Sequence, residues 1–154
     1  IGHMTILPEG RSCGCGNTGC LEMYASARGI IQNFRDALAR EGQTPPSSLT
    51  SQMVFEAAQR GNAAAGHAMQ EMGRLLGIGI ANLVNIFNPE MVVIGGGVRE
   101  AWPLFIEVTR AEVRKRAFAV PARRVRIVPS ELGDDAGMVG AAAVALQKMG
   151  GTLS

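Results

Sequence analysis

Cys13, Cys15 and Cys20 are the only cysteines in a chain of 154 residues, and they fall together on one glycine-rich stretch, CGCGNTGC. Thiolate sulfur is a soft, strongly donating ligand, and four sulfur or nitrogen donors at tetrahedral angles make a closed structural zinc site. Three cysteines supply three donors. Of the two histidines, His3 precedes Cys13 by enough chain for MTILPEGRS to run out as a strand and turn back. His67 falls within a helical pattern far along the chain and reads as a helix-surface or packed side chain. The predicted ligand set is therefore His3, Cys13, Cys15 and Cys20. The competing reading is three reduced thiols, or one disulfide with a spare cysteine, but a cytosolic cluster favours metal. Gly14, Gly16 and Gly19 suit the same purpose, since wrapping a small ion demands positive φ angles and close backbone approach. A structural zinc contributes on the order of 10 kcal/mol of apparent binding energy, more than a short polar loop gains from apolar burial.

A second group lies at Gly95, Gly96 and Gly97, at the end of the apolar run MVVI. Backbone amides there could approach a nucleotide because no side chain intervenes. A tight strand-to-helix turn requires glycine equally. In LGDDAGMVGAA, Asp134 or Asp135 is in position to cap a last helix.

The elements that must carry these residues follow from periodicity. From Cys20, LEMYASARGIIQNFRDALAREG has apolar residues at helical spacing and ends at Gly42. The loop EGQTPPSS leads to LTSQMVFEAAQRG, a short helix capped by Thr50 or Ser51. A long helix starts at Asn62 and is stopped by Asn88 and Pro89; its Gly66, Gly73, Gly77, Gly79 and Ala81 would admit a neighbouring backbone. MVVI then reads as a strand buried on both faces of a parallel sheet. WPLFIEVTRAEVRKRAF returns to helix, VRIVPS is a second strand, and DDAGMVGAAAVALQKM is an alanine-rich last helix. This order predicts an α/β domain with a right-handed crossover. Two or three strands, counting HMTIL, are few for so many helices. The expectation is an incomplete sheet, its missing strands lying upstream of Ile1.

Composition excludes several classes of function. The net charge is only +2, and Lys and Arg are scattered apart from RAEVRKR and ARRVR, so this chain alone is not expected to bind nucleic acid. No apolar run reaches the roughly 18 residues that span a bilayer, because Asn82, Asn85 and Asn88 interrupt the longest candidate. No membrane association is expected. The opening residues lack the charged and apolar regions of a secretory signal, which makes the cytoplasm the expected location.

The stretch IGHMTILPEGRSCGCGNTGCLE resembles the signature of the ROK family, a bacterial group of repressors, uncharacterised reading frames and sugar kinases. NPEMVVIGGG resembles that family's strand and glycine turn beside the nucleotide, and LGDDAGMVGAA its C-terminal motif. The resemblance runs the length of the chain, 1–154, in the family's order. It implies the C-terminal, larger part of a ribonuclease H-like fold of the sugar kinase and actin type, helix-rich, with an incomplete sheet. Within it, 1–22 would be the zinc and sugar loop, 91–97 the strand and glycine turn, and 134–148 the C-terminal helix. His3, Cys13, Cys15 and Cys20 fall at the family's zinc-ligand spacing. Family members commonly read Glu-x-Gly-His here; Ile1, Gly2 and His3 fit the last three positions, and the Glu before them is not in this sequence. In the family that Glu, the His and a second Glu, matched by Glu22, hold sugar hydroxyls. Taken alone, Glu22 is equally a carboxylate favoured at a helix N-terminus.

The resemblance further implies an ATP- and Mg²⁺-dependent kinase acting on a hexose, with glucose the expected acceptor, Gly95, Gly96 and Gly97 beside the nucleotide, and assembly as a homodimer. The family's catalytic Asp and phosphate-binding turns belong to the N-terminal half of such a protein and are not matched here. The chain alone is therefore expected to be inactive in phosphoryl transfer. The alternative that the resemblance carries is a repressor that uses the same sugar site as a sensor.

Overall fold

The computed structural model describes residues 1–96, 101–148 and 150. After a 3-10 turn at Leu21–Met23 come α1 (Ala27–Arg40), α2 (Ser51–Gln59), α3 (Ala63–Phe87), β1 (Met91–Ile94), α4 (Trp102–Arg116), α5 (Ala119–Arg124), β2 (Arg126–Pro129), a second 3-10 turn (Gly133–Asp135) and α6 (Ala136–Lys148). Side chains cap the starts of α1, α2 and α3 but not those of α4 and α5. Thr50 accepts from the Met53 N–H and Asn62 from the Ala65 N–H, while Asn88 ends α3 in the left-handed region at φ 46°.

Helix α3 is the spine. Its Ala65, Met69, Met72, Leu75, Ala81 and Val84 are almost completely buried. Ile30, Phe34 and Leu38 of α1, Val54 and Phe55 of α2 and Phe105 of α4 close around its first half. The second half, with Ile80 and Val84, packs with Ile106 and Val113 of α4 and Ile127 of β2. Helix α4 approaches α3 where α3 has no side chains: a Cβ at Gly73 would lie 2.7 Å from the Phe105 carbonyl, and one at Gly77 2.7 Å from that of Thr109. Into that gap the buried Thr109 hydroxyl donates to the Gly73 carbonyl at 2.8 Å. A third cluster, Ile6, Leu21, Tyr24 and Leu75, seats the cysteine-bearing segment on α3.

The sheet differs from expectation in two respects. β1 and β2 pair in parallel, with Val92 opposite Ile127 and α4 and α5 in the crossover, but Met91 and Val93 are 44% and 54% exposed. One face of β1 is thus open among the described residues, not buried on both sides. HMTIL forms no strand: its backbone bonds go to the cysteine loop, Ile6 N–H to the Gly19 carbonyl at 2.9 Å and Leu21 N–H to the Met4 carbonyl at 3.0 Å. Only isolated antiparallel bridges result, Thr5 with Cys20 and Ser12 with Thr18.

The helical pattern that starts at Cys20 is also interrupted. Tyr24 leaves the helical region, and α1 restarts behind Ser26, whose hydroxyl accepts from the Gly29 N–H. A Cβ at Gly29 would lie 2.5 Å from the Tyr24 carbonyl oxygen, so the chain folds back tightly there. No helix among the described residues is long and apolar enough to cross a membrane.

Candidate metal and sugar site

The bridges between residues 5 and 20 and between 12 and 18 close the chain into two nested loops. Their effect is to bring the ligand atoms of His3, Cys13, Cys15 and Cys20 within 4.8 Å of one another. Gly16 and Gly19 take the positive φ angles, 90° and 69°, that the loops require; Gly14 does not. His3 Nδ1 lies 3.6 Å from Cys13 Sγ, and Cys15 Sγ lies 3.6 Å from Cys20 Sγ. With zinc–sulfur bonds of about 2.3 Å, tetrahedral angles separate sulfurs by about 3.8 Å, so these two separations are close to the edge length of such a polyhedron. No disulfide joins the three cysteines in this conformation.

The electrostatics of the cluster favour a cation. Burial, reinforced by the neighbouring thiols, pushes the Cys20 thiol up to about 12, whereas a hydrogen bond from the Asn17 backbone, with the other two thiols, holds Cys15 below the ordinary thiol range. One thiol is poised to ionise and another resists. Three thiolates can coexist here only if a divalent charge offsets them. Three sulfurs and an imidazole nitrogen form a donor set compatible with structural zinc.

Glu22 lies beside this cluster on the 3-10 turn, its carboxylate 3.7 Å from His3 Nδ1. Its backbone N–H donates to the Gly2 carbonyl at 2.9 Å, which ties the turn to the segment carrying His3. Both side chains are more than half exposed. They line a cavity of about 190 Å³ together with Cys13, Met23, Ser26 and Arg28. With Nδ1 directed at the thiols, the other ring nitrogen of His3 is available to a ligand.

The glycine turn forms a second hollow. Gly95 and Gly96, the latter at φ 84°, line a cavity of about 250 Å³ with Ser26, Ser51, Gln52 and Phe55. Gly97 lies outside the described residues. Ser26 borders both hollows, so the start of α1 divides the cavity beside the cysteine cluster from the glycine-turn cavity. His67 is exposed on α3 and lines a separate open groove of about 740 Å³ between α1 and α3. It does not join the cluster.

Sequence reasoning missed Arg11, Ser26 and Arg28. Arg11 is the most connected of them: its guanidinium meets Met23, Asn33, Asp36 and Tyr24. A single arginine between Gly10 and Ser12 carries no pattern that announces these contacts.

Comparisons with known proteins agree on one group. The chain is 32% identical over 146 residues to the xylose repressor of Bacillus subtilis (strain 168), covering 95% of this chain and 36% of that protein. It is 37% identical over 153 residues to the glucokinase of Halalkalibacterium halodurans, covering 91% of this chain and 45% of that protein. Among solved structures, a ROK family glucokinase from Streptomyces griseus in complex with glucose and AMPPNP superposes with a TM-score of 0.80 at 30% identity, over 95% of this chain and 50% of that one. The chain thus spans half or less of the length of these relatives, which include both sugar kinases and repressors. Its helix-rich α/β fold with a small open sheet is that of the ROK sugar kinases. The ROK family model matches residues 1–148, and the chain belongs to the ROK family.

Proposed function

We propose that this chain is the C-terminal half of an ATP-dependent hexose kinase of the ROK family, with glucose as acceptor, and that it holds a structural zinc ion and part of the sugar site. The observation that carries the reading is the His3–Glu22 pair, 3.7 Å apart on the wall of one cavity and attached to the four-donor cluster. Glu22 accepts hydrogen bonds from sugar hydroxyls, and a ligand lacking them leaves a carboxylate unpaired, which gives selectivity. His3 is oriented by coordination through Nδ1 and donates to a sugar oxygen through Nε2. His3, Cys13, Cys15 and Cys20 would hold the zinc ion, which would offset the thiolate charge and fix the loop. Gly95 and Gly96 border the ATP and Mg²⁺ site across Ser26, and Gly97, outside the described residues, completes that glycine turn in the sequence. The N-terminal half of the same protein contributes the catalytic Asp that takes the hydroxyl proton, and closure of the two halves excludes water. The domain runs 1–154, with 1–22 as the metal and sugar loop, 91–97 as the strand and glycine turn and 134–148 as the last helix. The protein works in the cytoplasm as a homodimer.

Assay of the gene product that carries this chain tests the reading: with ATP and Mg²⁺ it phosphorylates glucose, and Glu22→Ala weakens glucose binding while zinc content holds. Loss of zinc in Glu22→Ala would give Glu22 a structural role instead. The similarity to a xylose repressor favours a second reading, in which the same pocket senses a sugar and an upstream segment binds DNA. Sugar-dependent operator binding without phosphoryl transfer would decide for it.

A further inference from the structure

The 3-10 turn that carries Glu22 spans only Leu21–Met23 and has no side-chain cap at its start. A turn this short does not fix its own direction, so what holds its two ends, together with the bond from the Glu22 N–H to the Gly2 carbonyl, aims the Glu22 carboxylate. Its first end follows Cys20, one of the four clustered donors. Its other end is held by Arg11. The Arg11 Nη1 donates to the Met23 carbonyl at 2.8 Å, while Nη2 donates to Asn33 Oδ1 at 2.8 Å and to Asp36 Oδ2 at 2.7 Å. The guanidinium lies 4.5 Å from the centre of the Tyr24 ring, and the Arg11 backbone N–H donates to the Tyr24 hydroxyl at 2.7 Å.

This grip is anchored in the helical core. Asn33 is 5% exposed, and its amide reaches the carbonyls of Tyr24 and Ala68 at 3.4 Å each, tying α1 to the turn and to α3. Asp36 faces the guanidinium from the next turn of α1. Arg11 thus transmits the fixed position of α1 to the two residues that follow Glu22. We propose that Arg11 is a positioning residue of the sugar site, aiming the Glu22 carboxylate from the end of the turn opposite the cysteine cluster. The inference rests on the reading that His3 and Glu22 hold a hexose. A planar fork of donors is essential to it, because one ammonium cannot satisfy a carbonyl, an amide oxygen and a carboxylate in three directions while stacking on a ring.

The test uses the gene product that carries this chain, as wild type, Arg11→Met and Arg11→Lys. Glucose affinity and the affinity of a non-hydrolysable ATP analogue are measured by calorimetry, and zinc per chain by mass spectrometry. Both variants bind glucose about tenfold more weakly or worse, as misdirection of a binding group by a fraction of an ångström predicts. Nucleotide affinity and zinc content stay at the wild-type values. Adding Arg11→Met to Glu22→Ala costs nothing further, since Arg11 acts through Glu22. If Arg11→Met is insoluble, Arg11→Lys and Asp36→Asn, which retain the packed stem, carry the same comparisons. Unchanged glucose affinity, a parallel fall in nucleotide affinity, or additive losses in the double variant overturn the role of Arg11 alone. Failure of the wild type to bind glucose overturns the hexose reading, and the inference with it.

Discussion

Gly19 bears the tightest steric demand in the cysteine loop. It sits at φ 69°, its carbonyl accepts from the Ile6 and Leu7 N–H groups, and a Cβ there would stand 1.5 Å from the Leu7 carbonyl oxygen. Gly19→Ala is expected to cost about 3 kcal/mol or more by combining backbone strain with overlap, and to lower zinc content as the loop opens; thermal melting with metal analysis checks both. Gly14→Ala meets nothing within 4 Å and is expected to stay within about 0.5 kcal/mol of wild type. From sequence the loop glycines look equivalent. The difference depends on where Leu7 passes, which no local pattern encodes. The four donors, by contrast, were legible from residue type and spacing, because soft ligands are rare in this chain and metal chemistry admits few combinations. Their protonation gives a further prediction. Without metal, Cys20 binds its proton up to about pH 12 while Cys15 releases its proton more readily. Zinc binding must expel the Cys20 proton, so the metal-bound state holds fewer protons and apparent affinity rises with pH. Competition with a zinc chelator between about pH 6 and about pH 8 should show that slope; a flat profile would mean that Cys20 is not a ligand.

At the scale of elements, the glycines of α3 give substitutions of opposite sign on a single helix, according to whether α4 lies against them. Gly77→Ala places a methyl group 2.7 Å from both the Thr109 carbonyl and the Glu112 Cβ, and because α4 holds both atoms rigidly the cost is about 1–3 kcal/mol. Gly66→Ala meets nothing within 4 Å and should stabilise by up to about 1 kcal/mol through helix propensity. Thr109→Val keeps the shape but removes the donor to the Gly73 carbonyl, an expected loss of about 1–2 kcal/mol. Denaturant melts of the three variants rank these effects. Sequence pattern identifies α2 and α3 because their caps and periodicity are local, and α4 by periodicity alone, since no side chain caps its start. It runs α1 back to Cys20 because LEMYASA fits a helical stripe; the break at Tyr24–Ser26 goes with the contacts that Arg11 makes to Met23 and Tyr24 from 12 and 13 residues away, and with the Asn33 amide on the Tyr24 carbonyl. It read HMTIL as a strand for the same reason. Alternation was present, but the partner that the segment found was a metal-type loop instead of a sheet edge.

For the whole molecule, the unusual feature is apolar surface that none of the described residues covers. Met138, Val139, Val144 and Leu146 along α6 are 70%, 45%, 55% and 46% exposed, and Met91 and Val93 leave the outer face of β1 bare. Ile86 and Phe87 at the end of α3 and Phe118 and Val120 around α5 are at least 60% exposed. Isolated apolar side chains on a surface are ordinary, but an entire alanine-rich helix without a buried residue is not stable on propensity alone at 13 residues. The 154-residue chain prepared by itself is therefore expected to self-associate as concentration rises, to bind a hydrophobic dye, and to show less helix when dilute than when concentrated. Phosphoryl transfer from ATP to glucose should be absent in the same sample, whereas zinc should be retained, because the four donors lie within 1–22 and depend on none of this open surface. Sedimentation, dye fluorescence, circular dichroism across a dilution series and a kinase assay separate these outcomes. A dilute, fully helical monomer would show that α6 holds itself, and detectable transfer would place the catalytic base within these residues.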